Sequence, residues 1–493
     1  MAGALTLVRV AGLALSPLGL HPDEAQYWVW SRTLDWGYFS KPPLVAWTIA
    51  ATTALFGNEP WAVRLGAPLL HLGAATALFA LGKRLYGEAA GWWAGVSWLL
   101  IPGVWLSSAL ITTDALLLPL WSAALVATWR WTETRAWRWA LITGALIGLG
   151  VLAKYAMFFF PLCLLIAGAW IAPVRRVVLS PQLFGAGAVS ALVIAPNVWW
   201  NATHDFETVA HTAANADWRG DLFNVARLVD FLGDQFAIAG VLAAALALAL
   251  VRFARGRDAL DERARFLLSF AAPPLLFMIG QALISRAHGN WAAVAYPAAI
   301  VLVAGVFAQS RLLRWGNVAH AALFAVFMTL GLAPDAAYRA PLIGRGIENG
   351  LKRMNAWEET ADLVAGLART AEAAGAPYSA ILVDHRHMYC ELAYHWRGAR
   401  DLPPLRMYVL RGAPGNQAEA TAPMTSQVDA RVLVVHMSPR YEAFVAGDFA
   451  RFRTISRTEV PLGPRKTRAL ALSEASGFQP AVRTPAFLLE VGE

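Results

Sequence analysis

The residues that could do chemistry sit in short polar stretches between long apolar ones. His21-Pro22-Asp23-Glu24-Ala25-Gln26-Tyr27-Trp28 places two adjacent carboxylates directly after an apolar segment. Charge held beside hydrocarbon is costly, which makes the pair a candidate for proton transfer. The alternative is that Pro22-Asp23-Glu24 opens a helix whose positive end favours acids. Gly37-Tyr38-Phe39-Ser40-Lys41-Pro42-Pro43 follows. Pro-Pro restrains the backbone and would present Lys41 from a rigid turn, unless Lys41 only anchors the chain beside an aromatic belt. Asp114, in Ile111-Thr112-Thr113-Asp114, enters an apolar segment at its start. Such a carboxylate needs a partner or a wet cavity, or it serves as a helix cap, a role Thr112 and Thr113 could fill equally well. Lys154, between two apolar segments, is either an interface lysine or an inward phosphate ligand. The tight turn Ser285-Arg286-Ala287-His288-Gly289-Asn290-Trp291 adds three polar side chains within five positions, Arg286, His288 and Asn290.

Eleven apolar segments must position these groups, centred in 3–20, 61–82, 89–106, 113–129, 137–153, 155–172, 183–200, 235–251, 266–284, 291–308 and 316–333. The chain is 57% hydrophobic and only 15% charged, against about 25% charged in soluble domains. Segments of roughly 20 apolar residues match the thickness of a bilayer core, where only helix satisfies its own backbone. Twenty-two tryptophans suit two interfacial belts. The expected fold is therefore mainly α, a polytopic membrane bundle over residues 1–334 with a first outer loop at 21–60 carrying interfacial helices. Residues 335–493 read as a soluble α/β domain, with an amphipathic helix at 357–374, short buried strands at Ser379–Val383 and Arg431–His436, and a helix within Asp384–Trp396. Residues 1–20 resemble a signal peptide with Ala14-Leu15-Ser16 as its cleavage site, but an uncleaved first helix is preferred, because Arg9 interrupts the apolar run. Either the true start lies upstream or Arg9 snorkels to the cytoplasmic interface. Cys163 and Cys390 give no disulfide framework.

The net charge of +8 does not indicate nucleic acid, because the basic residues lie in short loops. One alternate set of loops holds Lys83-Arg84, Arg130/Arg135/Arg138, Arg175-Arg176, Arg252/Arg255/Arg257/Arg263/Arg265 and Arg311/Arg314, which makes that face cytoplasmic. The opposite, periplasmic set gathers Asp23, Glu24, Asp35, Glu59, Lys154, His204, Asp205, Glu207, His211, Asp217 and His288, with Asp114 at its edge. Polar chemistry collected on one face indicates work done there, in a bacterial inner membrane. A transporter or flippase would instead place its binding residues near the midplane, at paired Gly/Pro-interrupted segments. A non-catalytic assembly or sensor protein would leave the Asp23 and Lys41 stretches unexplained.

The stretch from His21 to Lys83 (HPDEAQYWVWS, GYFSKPPLVAW, WAVRLGAPLL) resembles bacterial glycosyltransferase family 39. That family is related to the protein O-mannosyltransferases and the lipid A aminoarabinose transferase, and has the GT-C fold. The resemblance covers residues 10–330 and is most specific in 21–70. It implies a sugar donor on a polyprenyl phosphate and an acceptor that is lipid A, lipopolysaccharide, another glycan or a protein. It also implies that Asp23-Glu24 is the family's acidic pair, that Lys41 contacts the donor phosphate, that Asp114 is the carboxylate opening the fourth helix, and that Lys154 is the lysine after the fifth. Ser40 departs from the glutamate that precedes this lysine in the aminoarabinose transferases. Their specific substrate, and any metal there, therefore do not carry over. In this reading Asp23 is the general base, with Glu24 and Asp114 orienting the acceptor or tuning Asp23. Lys41, Lys154 and Arg286 hold the leaving phosphate. Tyr27, Tyr38, His204, His288 and Asn290 are the candidate substrate contacts, and direct displacement inverts the anomeric carbon. No glycine-rich nucleotide loop is evident. No obligatory metal is expected, although Asp23, Asp114 and His204 could assemble a divalent site.

Overall fold

The computed structural model describes residues 1–214, 223–426, 430–437 and 439–484; Asp217 lies outside the described residues. Contacts divide the chain into two compact units. One is Met1–Leu15 with Leu34–Thr329, the other Ser16–Thr33 with Leu330–Glu493.

The first unit is a multi-pass membrane bundle of helices, and all eleven apolar segments are helical. Among the described residues, however, five helices are long and apolar enough to cross a membrane: Pro60–Tyr86, Pro181–Thr203, Glu262–Ile284, Gly289–Phe307 and Arg311–Leu332. Two further spans form only if bent pairs are joined, Glu88–Leu100 with Pro102–Ala109 (56°) and Val225–Ala239 with Val241–Ala254 (106°). This measure, which sets aside the shorter apolar helices Ala2–Leu15, Leu44–Phe56, Trp137–Ala153 and Tyr155–Trp170, does not confirm the expected number of eleven, and helix breaks the sequence reading did not foresee are present. Their causes are local. Pro102 cannot donate to the helix before it. Gly240 turns the chain at φ +55°, where a Cβ would lie 2.2 Å from His320 Nε2. The His320 Nε2 accepts the freed Val241 N–H at 3.0 Å.

Arg9 does not snorkel. It is buried, with Nη1 donating to Ser108 Oγ at 3.0 Å and Nη2 donating to the Leu99 carbonyl. Breaking a helix at Pro102 leaves carbonyls of its last turn without helical partners, and in an apolar bundle a side chain must satisfy them. Arg9 serves one of them.

The second unit carries a five-stranded sheet: β1 (Ala380–Val383), β2 (Leu405–Met407), β3 (Val432–His436), β4 (Phe449–Pro461) and β5 (Thr467–Phe478), in the order β2-β1-β3-β5-β4. β1 runs parallel to β2 and β3, while β5 is antiparallel to β3 and β4. β1 and β3 are buried throughout, and apolar but for His436 at the end of β3, because both faces are covered. Ile381, Val383, Leu433 and Val435 meet Trp357, Val364, Met388 and Leu392 on one side. Leu382, Val432 and Val434 meet Val445 and Phe449 on the other. Helices Trp357–Ala373 and Arg386–His395 lie within a residue or two of their expected bounds. The long β4–β5 hairpin was not anticipated. The Pro22–Trp30 helix, in the same unit, packs on Arg386–His395, with Trp28 edge-on to Tyr394 at 5.1 Å. Cys163 and Cys390 are both free and buried.

Candidate functional site

In the first unit, three helix ends bring three predicted residues together. Asp114 stands in the first turn of Thr113–Thr134, Lys154 caps the end of Trp137–Ala153, and Asn290 lies in the short 3-10 helix Gly289–Ala295. Lys154 Nζ donates to Asp114 Oδ1 at 2.7 Å, and Asn290 Nδ2 donates to Oδ2 at 2.8 Å. Both carboxylate oxygens are thus engaged from different helices. Thr112, the N-cap residue, makes no side-chain cap bond. The carboxylate therefore bridges elements rather than closing its own helix. Lys154 points inward, as a charged side chain at such a depth must when its partner lies there.

The surrounding groups are of mixed charge. Burial, and then the nearby Arg286 guanidinium, push His288 below the ordinary imidazole value; Asp234 opposes this and Lys154 reinforces it. The Arg286 carbonyl accepts Gln281 Nε2 at 3.3 Å. The His288 ring meets Trp291 at 5.2 Å. Gln235 ties this turn to the bundle, donating to the Gly289 carbonyl at 3.1 Å and accepting the Tyr296 hydroxyl at 2.6 Å.

Lys41 is held on a fixed turn of the same unit. Tyr38 N–H donates to the Lys41 carbonyl at 3.1 Å, and Lys41 N–H donates back to Tyr38 O at 3.3 Å. Thr208 Oγ1 donates to that same Tyr38 carbonyl at 2.6 Å. Gly37 lets the turn approach Trp200, whose ring a Cβ would meet at 2.3 Å. Burial pushes the Tyr38 phenol up to about 12; the Asp35 N–H bond to it acts against this and the Asp35 charge with it. His204 stacks on Trp200 at 4.0 Å, its Nδ1 lying 2.8 Å from the Trp200 carbonyl. A net the sequence reading missed anchors this loop. Asn197 donates to the Trp36 carbonyl at 2.6 Å, and the Tyr155 hydroxyl donates to Asn197 Oδ1 and accepts from Asn201, each at 3.2 Å. The i, i+4 spacing of Asn197 and Asn201 on one apolar helix was the available signal.

In the second unit, Glu24 and Asp23 take different roles. The Glu24 carboxylate is 1% exposed and accepts His21 N–H at 2.9 Å, while His21 Nδ1 accepts Asp23 N–H at 3.3 Å, forming a capping box. Glu24 therefore fixes the start of the helix. Asp23 remains half-exposed, with Oδ1 accepting from Arg386 Nη2 at 3.3 Å. Arg386 Nη1 also donates to Gln26 Oε1 at 2.5 Å. Tyr27 is buried, its ring 5.3 Å from that of Trp30. Near the same acid, burial, then His385 and Arg386, push His387 down to about 3. Arg386 was not found from sequence; it lies 363 positions from Asp23 in a domain without a recognisable motif. Among the described residues, no three His, Cys, Asp or Glu side chains gather to hold a metal ion.

The sequence profile of the dolichyl-phosphate-mannose-protein mannosyltransferase family matches residues 40–200. The lipid A galacturonosyltransferase RgtD of Rhizobium johnstonii is 39% identical over 303 residues, 60% of this chain. The chain spans only 62% of the length of that curated relative. Crystal structures of ArnT from Cupriavidus metallidurans superpose over nearly the whole length. The apo form gives a TM-score of 0.62 at 17% identity over 95% of this chain and 96% of ArnT. The form bound to undecaprenyl phosphate gives 0.60 at 16% identity over 96% of each. At such identity these structures establish the fold, while the sequence matches supply kinship. Together they show that the chain has the fold of ArnT and that its residues 40–200 resemble the mannosyltransferase family.

Proposed function

We propose that this protein is a membrane glycosyltransferase that moves a sugar from a polyprenyl-phosphate donor to lipid A on the periplasmic face of the inner membrane, with inversion. The observation that carries the reading is the Asp114–Lys154–Asn290 assembly, which joins three helix ends in a chain 39% identical to a lipid A galacturonosyltransferase. That relative favours a galacturonosyl group and lipid A. The ArnT complex with undecaprenyl phosphate supports the donor class.

The chemistry follows from the residues. The acceptor hydroxyl oxygen attacks the anomeric carbon from the side opposite the phosphate. The C–O bond to phosphate breaks, and the phosphate leaves with the electron pair. Asp23 takes the hydroxyl proton. Lys41, Lys154 and Arg286 stabilise the phosphate charge that appears, by charge-assisted hydrogen bonds in a poorly hydrated site. Asp114 holds Lys154 in place, and Glu24 sets the direction of the helix bearing Asp23. Tyr27, Tyr38, His204, His288 and Asn290 contact donor or acceptor. The division into a membrane part over 1–334 and an outer domain over 335–493 is part of the same proposal.

The test is reconstitution of the purified protein in vesicles with polyprenyl-phosphate-linked galacturonic acid and lipid A, followed by mass spectrometry of the lipid products. Lipid A heavier by one uronosyl unit, formed far more slowly by Asp23→Asn, is expected. Donor that crosses the bilayer with its sugar–phosphate bond intact would instead establish a flippase.

A further inference from the structure

We infer that Arg386, on the first turn of Arg386–His395, is a positioning residue for Asp23. This rests on the proposed role of Asp23 as base. The geometry carries it. Gln26 is 6% exposed, and its carbonyl oxygen fixes one arm of the guanidinium at 2.5 Å. The other arm then meets Asp23 Oδ1 at 3.3 Å. Asp23 and Gln26 are neighbours on one helix, and a guanidinium reaches both because its donors form a rigid planar fork.

Stability alone does not account for the arrangement. The Arg386 and Asp23 side chains are 37% and 43% exposed, and ion pairs this open add little to folding. The two helices are already joined by the Trp28–Tyr394 contact. What the guanidinium adds is direction. It restricts the rotation of the Asp23 carboxylate and leaves the second oxygen, Oδ2, for the acceptor hydroxyl. Other charges near the carboxylate are His21, with Nδ1 at 3.8 Å from Oδ2, and His387. The low value of His387 keeps it neutral in ordinary buffers, so Arg386 is the fixed positive charge of this cluster.

The experiment uses the full-length protein in vesicles with polyprenyl-phosphate-linked galacturonic acid and lipid A. Arg386→Ala should lower kcat roughly 10- to 100-fold, the scale of a misplaced catalytic group, with KM for both substrates unchanged. Arg386→Lys should restore part of the rate. Gln26→Met loosens the guanidinium without removing it and should lower kcat by a smaller factor. In an Asp23→Asn background, Arg386→Ala should cost nothing further. A normal kcat in Arg386→Ala, or an equal further loss in the Asp23→Asn background, overturns the inference while leaving the reading of Asp23 intact. Full activity of Asp23→Asn removes that reading itself, and the inference with it.

Discussion

Replacing Lys154 by methionine keeps the length of the side chain and removes its charge. The structure gives the consequence in magnitude. Lys154 and Asp114 are 21% and 11% exposed and separated by 2.7 Å. Removing one partner of a buried pair costs about 3–5 kcal/mol, because the other charge is left without compensation. Residual solvent screens part of this, and Asn290 still serves one Asp114 oxygen, so about 2–3 kcal/mol is expected. The double variant Lys154→Met/Asp114→Asn has no stranded charge and should recover more than half of that loss. Both variants should be inactive in transfer, because the double variant restores packing and not phosphate binding. Reversible denaturation of the protein in mixed micelles measures the first effect and the vesicle assay the second. If the single variant is as stable as the unmodified protein, or the double variant is less stable than the single, Asp114 and Lys154 are not a compensated pair.

Other outcomes follow from the same geometry. Glu24→Gln preserves an acceptor for His21 N–H and should leave folding unchanged, whereas Glu24→Ala should cost about 1 kcal/mol, read from denaturation midpoints. Asn197→Leu should strand the Trp36 carbonyl and remove the acceptor of the Tyr155 hydroxyl, at about 1–3 kcal/mol, and expose residues 34–43 to limited proteolysis. His387 is held at about 3, below its ordinary 6.5. Between these values the unfolded chain takes up a proton that the folded chain refuses. Stability is therefore fully present above 6.5 and declines as pH falls towards 3. His387→Gln should flatten that slope in hydrogen exchange of residues 386–395.

Much of the architecture was legible because it depends on composition. Eleven apolar stretches became helices, and β1 and β3 fell within a residue of expectation, since uniform burial of a short run needs no distant information. The breaks were harder. Hydropathy does not register that Gly240 reverses direction inside an apolar run; only its close approach to His320 reveals why no other residue suits. The polar groups at helix ends were readable one by one. Asp114 and Lys154 lie 40 positions apart, and nothing local states that they touch. Glu24 shows the opposite case. Its cap is set within four residues, and the simpler reading of an acid at a helix start describes it well. Arg9 was misplaced because its partner is a carbonyl freed by a break elsewhere. The β4–β5 hairpin, rich in arginine along β4, lacks the apolar run that revealed β1 and β3.

The Pro22–Trp30 helix belongs to the unit completed by the last third of the chain, and its arginine partner arrives 363 residues later. At ribosomal speeds of about 5–20 residues per second, that interval is roughly 20–70 s. Throughout it the acidic helix has emerged without the Arg386–His395 helix that packs on it. Completion of this unit is therefore a long-range closure, and a ribosome that stops before residue 386 leaves Asp23 and Gln26 without their guanidinium partner.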